Sequence, residues 1–168
     1  IPLPRLTDYF NTDIELADNK SGSRLDMTAI KWFSEPGPRK SKKGIVPVYI
    51  EVKFGDNSLY GKAGLKKHIL DMANLFRDPQ KLQASVEEIQ SLFNQKAELG
   101  LIKGASWPIV IDSSVKPEII LVFANHKPAS NVLKRELGEI LDLPEYKELK
   151  QVCDVRTACP AFMGDGLC

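Results

Sequence analysis

Apolar and polar residues alternate along Asp13-Ile-Glu-Leu-Ala-Asp18, the period of a strand with one buried face. Asn19-Lys-Ser-Gly-Ser23 reads as a turn, and Arg24 to Phe33 as a second strand, so the two predict a hairpin. Ile1 to Phe10, with two prolines, reads as an irregular lead-in with a turn of helix at Leu6–Phe10. Ser34 to Gly44 carries Pro36, Gly37 and Pro38 and predicts a long loop. Ile45 to Phe54 is rich in Val, Ile, Tyr and Phe and predicts a third strand. Pro47 falls near its start, where a missing N–H is tolerated.

The period then lengthens. Leu65, Ile69, Met72, Ala73 and Phe76 mark one buried face of a helix, after a break at Gly55-Asp-Asn-Ser58. Asp78-Pro79 predicts an N-cap followed by proline in the first helical position. The helix it opens has a stripe of Leu82, Val86, Ile89 and Phe93 and ends near Gly100. Trp107 to Ile111 fits a short strand, and Glu118 to Ala124 (EIILVFA) a fully buried one. Ser130 to Leu141 predicts a further helix and Val152 to Phe162 a last strand. The order β-β-β-α-α-β-α-β implies an α/β fold: a mixed central sheet flanked by helices, with residues 1–168 forming a single domain.

Composition adds little to this picture. A net charge of +1, with 27% charged and 43% hydrophobic residues, fits an ordinary globular chain and leaves any polyanion-binding surface to local clusters. Two such clusters stand out: Arg39, Lys40, Lys42 and Lys43, and Lys62, Lys66 and Lys67. Cys153, Cys159 and Cys168 lack the spacing of a structural zinc site and read as reduced thiols. No apolar run has the length of a membrane span and no signal peptide opens the chain. A cytoplasmic protein without membrane association is the expectation.

The chemistry lies on two strands. Tyr49, Glu51 and Lys53 share one face of the third strand, and Ile50, Val52 and Phe54 share the other. The apolar trio is expected to form the core face. A carboxylate and an ammonium two residues apart on a half-buried strand are costly without partners or a job. Asp26, between Leu25 and Met27, is expected to point away from an apolar face of the second strand and to meet Glu51 across the pairing. A divalent cation relieves the repulsion between two such carboxylates, with the Val52 carbonyl as a further oxygen ligand. Lys53 would then stand beside bound water or a scissile phosphate.

The sequence Arg24-Leu25-Asp26, a variable gap, then Ile50-Glu51-Val52-Lys53 at the end of an apolar strand resembles the PD-(D/E)XK, or restriction-endonuclease-like, nuclease superfamily. The resemblance covers roughly Asp13 to Phe76. It implies a restriction-endonuclease-like core in which Asp26 and Glu51 bind Mg²⁺ or Mn²⁺ and Lys53 assists phosphodiester hydrolysis. The implied substrate is DNA, with RNA second, and paired domains acting on a duplex imply a homodimer as one arrangement. Leu25 replaces the proline of the motif, and an acidic residue on a preceding helix is not evident. Glu15 is the available substitute.

Each of these residues also has a plainer reading. Glu15 reads first as a surface charge, Tyr49 as a half-buried sheet tyrosine, and His68 and His126 as exposed histidines. Tyr49 and His68 are nonetheless accessory candidates near substrate. Arg39, Lys40, Lys42, Lys43, Lys66 and Lys67 are candidates for a nucleic-acid backbone. Trp32 and Trp107 offer stacking surfaces, with packing as their default. The rival to catalysis is the same fold as an inactive nucleic-acid- or protein-binding module.

Overall fold

The computed structural model describes residues 8–18, 23–127 and 129–159. Five strands, β1 (Tyr9–Asp18), β2 (Ser23–Lys31), β3 (Val46–Phe54), β4 (Glu118–Ala124) and β5 (Asp154–Ala158), form one sheet in the order β1-β2-β3-β4-β5. β1, β2 and β3 pair antiparallel, and β3-β4 and β4-β5 pair parallel. The sheet is therefore mixed, and among the described residues the α-helices are α1 (Pro36–Ser41), α2 (Leu65–Arg77), α3 (Pro79–Glu98), α4 (Val132–Asp142) and α5 (Pro144–Val152). Among the described residues no helix is long and apolar enough to cross a membrane.

The helix periodicity translates directly into packing. Leu65, Ile69, Met72, Ala73 and Phe76 are all buried along α2. Asp78 caps α3, its side chain accepting from the backbone N–H of Gln80 and Lys81, with Pro79 behind it. Ile89 and Phe93 reach the core, and Phe10 of β1 meets Phe93 edge-on at 5.7 Å between ring centroids.

Several expectations are corrected. The segment Ser34–Gly44 contains the short helix α1, and α5 follows α4 after Leu143, its own Pro144 set at the first turn. Trp107 to Ile111 forms no strand; Asn94 of α3 holds it through both the N–H and the C=O of Ile109. Tyr9 and Phe10 belong to β1, not to a turn of helix, while Leu6 lies outside the described residues. Cys153 is a free buried thiol, its pKa pushed up to about 12 by burial, but Cys159 is disulfide-bonded, unlike the expected reduced thiols; Cys168 lies outside the described residues.

The largest correction concerns β3. Tyr49, Glu51 and Lys53 face the helices, and Ile50, Val52 and Phe54 point to the less covered side. Tyr49 is fully buried, edge-on to Phe76 of α2, and its hydroxyl meets Ser85 Oγ of α3 at 3.1 Å. Burial raises its pKa to about 12. In β4, paired in register, Ile119, Leu121 and Phe123 occupy the same face and supply the apolar surface there. The charged pair of β3 thus enters the core beside residues that dilute it.

Candidate metal and catalytic site

The site is assembled where β2 stops pairing with β3. The last matched pair is Met27 and Ile50, and one further step of that register puts Asp26 beside Glu51 on the same face. Asp26 Oδ2 accepts from the backbone N–H of Val52 at 2.7 Å, taking the place of a ladder bond at the strand's end. The N–H and C=O of a strand residue point to the same side, so the Val52 carbonyl lies toward Asp26. The register makes Asp26 and Glu51 neighbours on one face, while the Asp26 carboxylate is engaged by the Val52 N–H.

Glu51 is 1% exposed and Lys53 5% exposed. Lys53 Nζ stands 2.7 Å from Glu51 Oε1 and also donates to the Ala63 carbonyl at 3.0 Å. That carbonyl belongs to the turn ahead of α2. A side chain at Gly64 would bring its Cβ to 2.7 Å from the Tyr60 backbone, so glycine is what lets this turn close. α2 then begins at Leu65, and His68, three residues on, lies at the edge of the buried stripe. His68 Nδ1 is 3.0 Å from Glu51 Oε1. The plainer reading of His68 as an exposed histidine is thereby overturned: its side chain is 15% exposed and faces the sheet. Its position at i+3 from Leu65 and i−4 from Met72 was the signal in the sequence.

These contacts are ion-pair contacts. Glu51 Oε1, Glu51 Oε2 and His68 Nδ1 are buried without a hydrogen-bond partner, although Oε1 has the Lys53 ammonium and His68 within ion-pair distance. A buried polar atom left with no compensating partner ordinarily costs about 1–3 kcal/mol. A second buried glutamate provides the contrast. Glu118, 3% exposed, accepts from the Tyr9 hydroxyl and from Lys31 Nζ, each at 2.7 Å, with Arg156 Nε at 3.3 Å. Burial pulls the Lys31 pKa down, but its bonds to Glu118 and Tyr9 raise it overall. One buried carboxylate in this fold is fully partnered and the other is not.

A second polar group borders the cluster at the carboxyl ends of the parallel strands β3 and β4. His126 Nε2 lies 3.2 Å from the Lys53 carbonyl, and its Nδ1 3.0 Å from Asp56 Oδ1. With both ring nitrogens engaged, His126 positions the loop after β4. Hydrogen bonds from Ser130 first, then from His126 and the Lys127 backbone, hold Asp56 below the usual carboxylate range. The ionised form therefore stabilises the fold at neutral pH, and that contribution is lost as pH falls from about 4 through the lowered pKa. Asp56→Asn is expected to remove this acid-dependent part: wild-type and variant denaturation midpoints, compared across pH 2–6, should converge at the acid end.

The remaining candidates do not gather here. The Arg39 guanidinium donates to the carbonyls of Trp32 (2.6 Å), Phe33 (2.8 Å) and Gly104 (3.0 Å), and it sits over the Phe10 and Trp32 rings. It locks α1 onto the sheet, a structural use that leaves it poorly placed to clamp a phosphate. Lys42 Nζ donates to the Pro108 carbonyl, whereas Lys40 and Lys43 are exposed. Lys66 is exposed near the site, and Lys67 pairs with Asp71 one turn along α2. Trp32 is fully buried, donating to the Pro38 and Lys43 carbonyls, while Trp107 is exposed. Glu15 lies across β1-β2 from Asp26, but its φ of 72° breaks the regular pleat. Tyr49 is core.

Among the described residues, no group of three or more His, Cys, Asp and Glu side chains forms a ready cage for a metal. What the site brings together is two acids by register, a carbonyl, an imidazole and an amine. A cleft lined by Pro47, Leu82, Val86, Ile111 and Pro117 lies at the other end of β3 and contains none of these groups. Family models, curated proteins and solved structures yield no significant match to this chain.

Proposed function

We propose that this chain is a metal-dependent nuclease of the PD-(D/E)XK type, with a restriction-endonuclease-like core, that hydrolyses phosphodiester bonds in DNA and secondarily in RNA. The observation that carries the reading is the buried Glu51 carboxylate, which lacks a hydrogen-bond partner, beside Lys53 and one strand from Asp26. A buried carboxylate paired with an ammonium but without hydrogen bonds to its oxygens is one that a further group from outside the chain could complete.

The residues fit a hard divalent cation. Asp26, Glu51 and the Val52 carbonyl would hold Mg²⁺ or Mn²⁺, which supplies Lewis acidity and a more acidic bound water. Lys53, held near Glu51, places a positive charge where a scissile phosphate gains negative charge. The Val52 N–H fixes the orientation of Asp26. Exposed Lys66, at the start of α2, would offer a positive charge to a nucleic-acid backbone. The succession β1-β2-β3-α2, with β4 parallel to β3, also suits such a core.

A second reading, a non-catalytic binding module, is favoured by one observation. Lys53 already spends its amine on Glu51 and on the Ala63 carbonyl. One experiment separates the two. Saturating Mg²⁺ or Mn²⁺, at about 100 times Kd, is expected to stabilise the wild type by about 2.7 kcal/mol, a rise of roughly 5–10 °C in Tm. Asp26→Ala should show no such rise. Cleavage of single-stranded DNA, duplex DNA or RNA that is lost in Lys53→Met supports the nuclease. A metal-induced rise without cleavage of any of the three supports the module, and no rise at all sinks the metal site.

A further inference from the structure

We infer that the outer edge of β5 pairs with the same edge of a second copy of this chain, antiparallel about a two-fold axis at Val155, so that the two sheets join into one. The pairing uses none of Asp26, Glu51, Lys53 and His68, and it stands or falls independently of the metal-dependent reading.

The two edges of the sheet are built differently. On β1 the register shifts between Asn11 and Asp13, and Glu15 has a φ of 72°, so the ladder is broken in the way that keeps an edge from recruiting another strand. β5 carries no such break: its register against β4 is regular, and Asp154, Arg156, Thr157 and Ala158 are exposed. Among the described residues no strand lies on its outer side. The Asp154 N–H donates to the Pro117 carbonyl at 2.9 Å, so Asp154, and Arg156 with it, turn their backbone groups toward β4. Alternation leaves the N–H and C=O of Val155 and Thr157 on the outer edge. Cys153, extended at φ −142° and ψ 161°, continues the alternation with its carbonyl outward, while its N–H is bonded to the Leu149 carbonyl.

Charge then selects one register. Residues directly opposite each other in a ladder share a face, so a two-fold axis has to pass where a residue meets its own copy. With the axis at Val155, the Val155 residues exchange N–H···O=C bonds, and each Thr157 N–H reaches the Cys153 carbonyl of the other copy. Asp154 then lies opposite Arg156 of the second copy, and the symmetry repeats the pair. Moving the axis to Arg156 sets guanidinium against guanidinium, and moving it to Thr157 sets Arg156 against Ala158. The self-complementary arrangement is the first. Asp154 and Arg156 share a face with Glu118, where Arg156 Nε stands 3.3 Å from Glu118 Oε2 and Lys116 Nζ 3.2 Å from Asp154 Oδ1. Both side chains stay more than half exposed, at 56% and 57%, which leaves them room for a further partner.

Sedimentation equilibrium on the wild type, on charge-reversed variants and on their mixture tests this. A short strand pair is a small interface, so the wild type is expected to dimerise with a Kd on the order of 10–100 µM. Asp154→Arg opposes Arg to Arg, and Arg156→Asp opposes Asp to Asp, so each variant alone should self-associate at least about tenfold more weakly. Mixed in equal amounts, the two variants regain opposite charges at both positions and should form a heterodimer of nearly wild-type affinity, which also reports that both are folded. If either reversal unfolds the chain, Asp154→Asn and Arg156→Gln, which keep the side-chain shape, should each weaken association by about threefold. A wild type that stays monomeric up to about 500 µM overturns the proposal. So does a dimer whose affinity the variants leave unchanged, since that dimer uses another surface, and so does a mixture of folded variants that fails to associate.

Discussion

Replacing Lys53 with methionine is expected to cost the metal-free protein about 3–5 kcal/mol of unfolding free energy, the usual consequence of removing one member of a buried ion pair. The shape of the lysine stem is largely kept, so little of that loss comes from packing. It comes from Glu51, which at 1% exposure cannot recover its hydration and retains only His68 within ion-pair distance. Urea denaturation in EDTA measures the effect. Mn²⁺ should then stabilise Lys53→Met more than it stabilises the wild type, because the ion no longer competes with an ammonium for the same oxygen. A loss below about 1 kcal/mol in EDTA would mean that Glu51 is not held as an ionised group in the core.

The sequence carried most of the architecture because burial follows period. The α2 stripe, the Asp78-Pro79 start of α3 and the apolar run of β4 each have one physical solution, and each appears where the pattern places it. α1 and α5 were not legible for the opposite reason. α1 has no buried residue and is held from outside, by Arg39 donating to loop carbonyls, while α5 buries only Leu149 within the helix. Neither leaves a hydrophobic period to read.

The candidate site was legible by residue type and misread by side. Alternation alone assigns Ile50, Val52 and Phe54 to the core and Glu51 and Lys53 to the outside, since burying charge is costly. The structure does the reverse, because Ile119, Leu121 and Phe123 on the parallel neighbour supply the apolar surface on the helix side. A departure from the local rule of this kind is where functional residues are expected. His68 shows the complementary limit. Its place on the edge of the α2 stripe was visible, but its distance to Glu51 depends on how the turn at Gly64 sets the helix against β3, which no pattern in one segment reports.

The double variant Glu51→Leu, Lys53→Met separates the structural cost of this pair from its use. Two apolar side chains of similar size in place of a buried ion pair are often neutral or stabilising by about 1–4 kcal/mol. The metal-free double variant is therefore expected to recover the loss seen in Lys53→Met and to match or exceed the wild type in urea. Metal-induced stabilisation and cleavage should both vanish, the latter by at least about 10²–10³-fold, the scale of losing one preorganised charge-stabilising group. The size of the recovery is the informative quantity, because it measures how much stability the fold gives up to keep a carboxylate beside an amine in its interior. If the double variant stays as unstable as Lys53→Met, the pair is a structural element with no cost for function to explain. If it recovers and still cleaves, the chemistry belongs to other residues.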